Sequence, residues 1–130
     1  MIKILSAFSG FSVPDIAQAK QFYKEVLGLE VNEQPEGLEV KAAGAAAIFI
    51  YPSPTNKPAT YTVLNFIIRD IDIAVDELVG KGVVMEQYDM PQLKTDSKGV
   101  VRNDGSHPGP KAIAWFKDPT GNILSVIQQK

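Results

Sequence analysis

Two stretches of the chain, 55 residues apart, follow the same pattern. In each stretch an apolar run ends in an aspartate, Asp15 or Asp70, and apolar residues at helical spacing come next. These apolar positions are Ile16, Ala19, Phe22, Tyr23, Val26 and Leu27 in the first copy and Ile71, Ala74, Val75 and Leu78 in the second. Each set occupies one face of a helix, so the pattern predicts two copies of a strand–helix unit.

Residues at the ends of both helical segments favour the same boundaries. Asp15 and Asp70 are good N-caps because a carboxylate accepts hydrogen bonds from the free N–H groups of a first helical turn. Gln18 completes a capping box after Asp15. Gly28 and Gly82 stand where the left-handed residue that ends a helix is expected. The two helices are therefore predicted to share one design.

Short strands are predicted after each helix. They are Leu29–Glu33, Leu38–Ala42 and Ala45–Tyr51 in the first half, and Val83–Tyr88, Ala112–Phe116 and Ile123–Gln128 in the second. Each half thus reads as a βαβββ module, over residues 1–51 and 61–130, with a proline-rich linker at about 52–60. The predicted fold class is α+β, a single domain in which the two modules form a cupped mixed sheet with the helices on the outside.

The segment Pro91–Lys111 is polar and contains two good turn sequences, Asp96–Gly99 and Asn103–Gly105. A stretch of about twenty residues without predicted secondary structure in so small a domain is typical of a functional loop. We therefore predict either a lid or a loop that crosses to a second subunit.

Composition excludes several kinds of partner and chemistry. Fifteen acidic and thirteen basic residues give a formal net charge of −2, which argues against nucleic acid as a partner. The sequence has no run of about 18 apolar residues, so no membrane partner is expected. The absence of cysteine excludes disulfides and thiolate metal sites, and it is consistent with the cytoplasm. The single histidine, His107, lies in a glycine- and proline-rich loop, and the carboxylates of this region are scattered without metal-ligand spacing.

Two segments of the chain resemble hallmark segments of a known family. They are Phe22–Leu29 (FYKEVLGL) and Asp118–Asn122 (DPTGN). Both are similar to those of the vicinal oxygen chelate superfamily, which includes glyoxalase I, extradiol dioxygenases, fosfomycin-resistance enzymes and bleomycin-binding proteins. The resemblance covers nearly the whole chain and implies the paired βαβββ fold, often as a dimer. It does not settle the function, because this fold hosts several chemistries.

The resemblance also implies where metal ligands would stand. One kind of position lies seven residues before each capping aspartate, and it is occupied here by Phe8 and Val63. The other lies on the last strand of each module, which gives Ser125 in the second half and either Phe49 or Ile50 in the first. Divalent ions need nitrogen or oxygen donors, which phenylalanine and valine lack, and a serine hydroxyl is a poor sole ligand. We therefore expect no metal and no cofactor.

Strand alternation gives a set of residues predicted to line the concave face. The ligand-binding candidates are Phe8, Gly10, Tyr51, Val63, Asn65, Trp115 and Ser125. Asn65 interrupts an apolar strand, and its amide needs partners, which are either a ligand or structural groups. Trp115 is interpreted as a ligand wall, a core residue or a subunit contact. Phe8 either lines the hollow or fills it.

These observations favour a metal-independent protein that binds a small, partly apolar organic ligand, as a homodimer in the cytoplasm. The alternative is a glyoxalase-like lyase or dioxygenase-like enzyme of unknown substrate, with Asn65 or a tyrosine as a polar or acid–base group in place of a metal. Catalytic residues are unassigned in that case. A metal-dependent enzyme ranks last because three ligand positions carry no suitable donor.

Overall fold

A computed structural model describes residues 1–44 and 47–130. The chain divides into two compact units, Met1–Pro58 and Ala59–Lys130, which we call module 1 and module 2. Each contains one four-stranded mixed sheet with a helix on one face. The α+β class and the two βαβββ modules are confirmed, whereas their union into a single domain stays a prediction.

Module 1 follows the order β1, α1, β2, β3, β4. Its elements are β1 Ser9–Val13, α1 Ile16–Gln21 with a π-helical continuation over Phe22–Val26, β2 Glu30–Gln34, β3 Gly37–Lys41 and β4 Ile48–Pro52. The sheet order is β1-β4-β3-β2, with β1 parallel to β4 and the other pairs antiparallel. The predicted strand Ala45–Tyr51 is observed only from Ile48, and Ala45 and Ala46 lie outside the described residues.

The predicted helix boundaries of both modules are confirmed. The Asp15 carboxylate accepts the backbone N–H of Gln18 at 3.1 Å, and the Asp70 carboxylate accepts those of Asp72 and Ile73. Gly28 and Gly82 have φ of +71° and +91°, a left-handed conformation that glycine adopts without steric cost. In module 1 the helix packs on β3 and β4, where Phe11, Val13, Leu38, Val40 and Ile50 are buried.

Module 2 repeats this architecture with an added hairpin. Its elements are β5 Thr62–Ile68, α2 Ile71–Gly80, the hairpin strands β6 Asp89–Met90 and β7 Leu93–Lys94, then β8 Val100–Arg102, β9 Ala112–Lys117 and β10 Ile123–Gln128. The sheet order is β5-β10-β9-β8. Helix α2 packs on β9 and β10. No helix among residues 1–44 and 47–130 is long and apolar enough to cross a membrane.

The predicted strand Val83–Tyr88 is wrong. Only one bridge, from Met85 to Phe116, joins this segment to the sheet, and the outer strand is β8, inside the segment predicted to be a polar loop. The apolar run Val83–Met85 suggested a strand. However, β8 pairs with Ala112–Ala114, so only the far end of the same β9 edge remains for the 83–88 segment. Val83 and Met85 still reach the core, while Val84 is exposed.

Ion pairs join the polar stretch that contains β8 to helix α2. Arg102 at the end of β8 contacts Asp72 of α2 at 2.7 Å and Asp96 at 2.9 Å. Lys98 contacts Asp72 at 2.9 Å. The hydrogen bonds from Arg102 and Lys98 hold the pKa of Asp72 well below its usual range. These charges attach the 96–102 segment to the first turn of α2, which sequence periodicity does not reveal.

Candidate ligand-binding site

The turn before β10 is built on a buried carboxylate. Asp118 Oδ1 accepts three backbone N–H hydrogen bonds of 2.9–3.0 Å, from Thr120, Gly121 and Asn122. Its Oδ2 accepts a fourth, from Asn122 Nδ2, at 3.0 Å. Both side chains are almost fully buried. This turn sets the point at which β10 enters the sheet, and therefore the position of Ser125.

Three of the predicted site residues lie side by side in module 2. Ser125 of β10 is in register with Asn65 of β5 on one side and with Trp115 of β9 on the other. Register partners on neighbouring strands project from the same face of a sheet, so the three side chains form one row, which we call the Asn65 row. The buried residues Leu124 and Phe116 alternate with this row and project from the opposite face.

A hydrogen bond inside the row orients the asparagine. Ser125 is fully buried, and its Oγ donates to Asn65 Oδ1. Asn65 itself is exposed, and no described residue (1–44, 47–130) accepts a hydrogen bond from its Nδ2. The serine therefore engages the amide oxygen, while the two N–H donors are available to another molecule.

Tyr88 forms an aromatic pair with Trp115, the tryptophan of the row. Trp115 is half-buried, and the Tyr88 ring meets it in a T-shaped contact with centroids 5.6 Å apart. Thr95 holds Tyr88 in place, because its Oγ1 accepts the Tyr88 N–H at 2.9 Å and its own N–H donates to the Tyr88 carbonyl at 3.0 Å. Tyr88 is absent from the predicted site residues. The sequence marks Tyr88 as a candidate wall or rim residue but does not assign its facing.

Val63 stands apart from this row. The pairing of β5 with β10 shifts between Ile123 and Leu124, which are in register with Thr62 and Leu64. Val63 is thus the extra residue of a β-bulge and has no direct partner on β10. It is half-buried two residues before Asn65.

An open hollow of about 440 Å³ adjoins the row in module 2. Ile67 and Ile127 form part of its wall, and they are register partners two residues beyond Asn65 and Ser125 on the same face. The other lining residues are Gly109, Pro110, Gln129 and Lys130. The candidate site of module 2 therefore combines a polar amide, an aromatic pair and an aliphatic hollow on one sheet face.

The remaining candidates lie on the sheet of module 1. Phe8 precedes β1, is 72% exposed and makes an edge contact with Phe49 at 6.4 Å. Phe49 is nearly parallel to Tyr51, with ring centroids 6.3 Å apart. Gly10 is in register with Phe49, so these residues share the face opposite the buried Ile50. Of the two candidates Phe49 and Ile50, Phe49 is on the face of Phe8 and Gly10.

A match to a known family agrees with this architecture. The sequence model of the Glyoxalase/Bleomycin resistance protein/Dioxygenase superfamily matches residues 6–126. The chain belongs to this superfamily. Membership in the Glyoxalase/Bleomycin resistance protein/Dioxygenase superfamily accounts for the paired modules and for the buried DPTGN turn, which is one of the two segments that carried the resemblance.

Solved structures of this superfamily share the fold. An antibiotic-binding protein from Streptomyces sp. CB03234, TnmS3, is 25% identical, with a TM-score of 0.66 over 99% of this chain and 100% of that one. A putative glyoxalase family protein from Bacillus anthracis is 21% identical, with a TM-score of 0.67 over all of both chains. The fosfomycin resistance protein FosX from Listeria monocytogenes is 16% identical, with a TM-score of 0.70 over 100% and 96%. No curated protein matches the sequence.

The side chains at the family's metal-ligand positions do not fit a metal ion. Phe8 and Val63 offer no lone pair, and Phe49 offers none in the first module. The Ser125 hydroxyl is buried and engaged with Asn65. Among residues 1–44 and 47–130, no group of three histidine, aspartate or glutamate side chains is placed to hold an ion.

Proposed function

We propose that this superfamily member is a metal-independent binding protein that holds a small, partly apolar organic molecule on the sheet face of the Asn65 row. The observation that carries the proposal is the exposed Asn65 amide, oriented by the buried Ser125 hydroxyl. A polar group held in one orientation beside apolar walls is the usual make-up of a small-molecule site. Trp115 supplies apolar surface within the row, and Val63, two residues before Asn65 on β5, adds apolar surface outside it.

The chemistry of the donor set supports metal independence. Metal coordination would require donors where the chain has Phe8, Val63 and Ser125. The full-length similarity to an antibiotic-binding protein at 25% identity further supports binding as the activity. We also propose that Phe8, Gly10 and Tyr51 mark a second ligand-contact surface, on the sheet of module 1, because its aromatic rings are exposed. We further propose that the protein is a homodimer and is located in the cytoplasm.

The first experiment identifies the ligand and tests for a metal. The protein is purified from its own source without denaturation and examined by native mass spectrometry and by elemental analysis. The expected result is a bound organic molecule without a stoichiometric divalent ion, and an affinity for the recovered molecule that dialysis against EDTA leaves unchanged. A stoichiometric ion whose removal abolishes binding would overturn the proposal.

A matched pair of variants tests the role of Asn65. Asn65→Leu keeps the approximate size of the side chain and removes the amide donors, so affinity for the recovered ligand should fall by about three- to tenfold, the worth of one hydrogen bond. Gln21→Leu removes an exposed amide at the end of α1 and should leave the affinity unchanged. Equal affinities of the two variants would show that the Asn65 amide does not contact the ligand.

A further inference from the structure

The hollow beside the Asn65 row has apolar side chains in its wall that are exposed to solvent. Ile67 is 57% exposed although it lies on a sheet strand, and Ile127 is its register partner. Covering this aliphatic surface with an apolar group releases water and is favourable in proportion to the area removed. The hollow therefore favours the hydrocarbon part of a ligand.

Hydrogen bonds close the loop that supplies another part of the wall of the hollow. Gly109 and Pro110 belong to a loop whose ends are joined by the bond from Asn103 N to Lys111 O, at 2.9 Å. Asn103 Nδ2 also donates to the His107 carbonyl at 2.9 Å. These bonds close the loop in the absence of a ligand, so ligand binding does not lose conformational entropy by ordering the loop.

One charged side chain lines the hollow, and it is a cation. Of its six lining residues, Lys130 alone has a charged side chain, and it takes part in none of the ion pairs of the described residues. The N–H groups of Asn65 lie in the neighbouring row. A cation and an amide donor beside an aliphatic wall suit a molecule that has both a hydrocarbon body and negatively charged oxygens.

We propose that the hollow selects, among small apolar molecules, those that carry one anionic oxygen group such as a carboxylate or a sulfonate. The anionic group pairs with the Lys130 ammonium, and the hydrocarbon body covers Ile67 and Ile127. This inference rests on the proposed function and specifies the ligand class of the same sheet face.

Two fluorescent probes with the same apolar body test the selection. N-phenyl-1-naphthylamine is neutral, and 8-anilinonaphthalene-1-sulfonate adds one sulfonate to it. At low ionic strength the wild-type protein should bind the sulfonate about three- to fivefold more tightly, the worth of a partly exposed ion pair. In 0.5 M NaCl this preference should disappear because exposed charges are screened.

Variants separate the two parts of the proposal. Lys130→Gln should remove the preference for the sulfonate and leave the affinity for the neutral probe unchanged. Ile67→Thr should weaken the binding of both probes, whereas Ile73→Thr should change neither, because Ile73 is 59% exposed on α2 and does not line the hollow. Lys130 is exposed, so its variant keeps the test available even if Ile67→Thr fails to fold.

Three results would overturn the inference. They are equal affinity of the wild-type protein for the two probes, a preference that persists in Lys130→Gln, and the failure of both probes to bind. None of these would refute the proposed function, which fails separately if the purified protein carries no organic molecule or depends on a metal.

Discussion

Replacing Asp118 by alanine tests whether the buried turn before β10 holds the candidate site together. The substitution removes one carboxylate that accepts four hydrogen bonds of 2.9–3.0 Å. Thr120 and Gly121 are partly exposed, so water can replace the carboxylate at their N–H groups. Asn122 is only 2% exposed, and both its backbone N–H and its Nδ2 would lose this acceptor in the interior.

The cost follows from those two buried donors. A buried donor left without its acceptor costs about 1–3 kcal/mol, so Asp118→Ala should lower the free energy of unfolding by about 3 kcal/mol. That is a large share of the 5–15 kcal/mol that stabilises a typical domain. Asp118→Asn should cost less, about 1–2 kcal/mol, because its amide oxygen can still accept the three backbone bonds.

Urea unfolding followed by the fluorescence of Trp115, the only tryptophan, measures both variants. Asp104→Ala is the matched control, since its carboxylate also accepts a backbone N–H two residues on, from Ser106, but in an exposed loop. Its unfolding midpoint should equal that of the wild type. If Asp118→Ala were no more costly than this control, the carboxylate would not be what holds the turn, and the reasoning would be refuted.

Three further predictions concern packing, charge and assembly. A Cβ at Gly10 would lie 2.8 Å from the Phe49 carbonyl oxygen, so Gly10→Ala should lower the free energy of unfolding by about 1–3 kcal/mol. A Cβ at Gly80 would meet no atom within 4 Å, so the control Gly80→Ala should be neutral or stabilising. Equal effects of the two variants in urea titrations would contradict this reasoning. The ion pairs of Asp72 lower its pKa in the folded state, so the stability they supply is present above the unfolded pKa of about 4 and is lost as the pH falls through the folded pKa. The difference in free energy of unfolding between wild type and Asp72→Asn should therefore be constant from about pH 5 to 8 and shrink below about pH 4. A difference that is unchanged at pH 2–3 would exclude this linkage. Light scattering should give about twice the 14.2-kDa chain mass, and a monomer mass would rule out the proposed homodimer.

Much of the fold follows from local patterns. Asp15 and Asp70 cap helices because a carboxylate at that position satisfies free N–H groups of its own first turn, whatever surrounds it. The same holds for Gly28 and Gly82, whose left-handed conformation depends on the residue type. The strand Ile123–Gln128 was predicted with its observed bounds, because a mostly apolar run after a strong turn signal is specified locally.

The other features of the fold and of the candidate site depend on contacts between residues that are far apart in the sequence. Strand β8 lies in a segment that looks like a loop: it pairs with β9, its Val100 is buried, and its Arg102 contacts Asp72 of α2, thirty residues earlier. The same kind of contact makes Asn65 a candidate ligand residue: Ser125, sixty residues away, is brought into register beside it and engages its amide oxygen. Sequence patterns identify which side chains alternate on a strand, but register between strands depends on the packing of the whole module, and only register brings Asn65, Ser125 and Trp115 into one row.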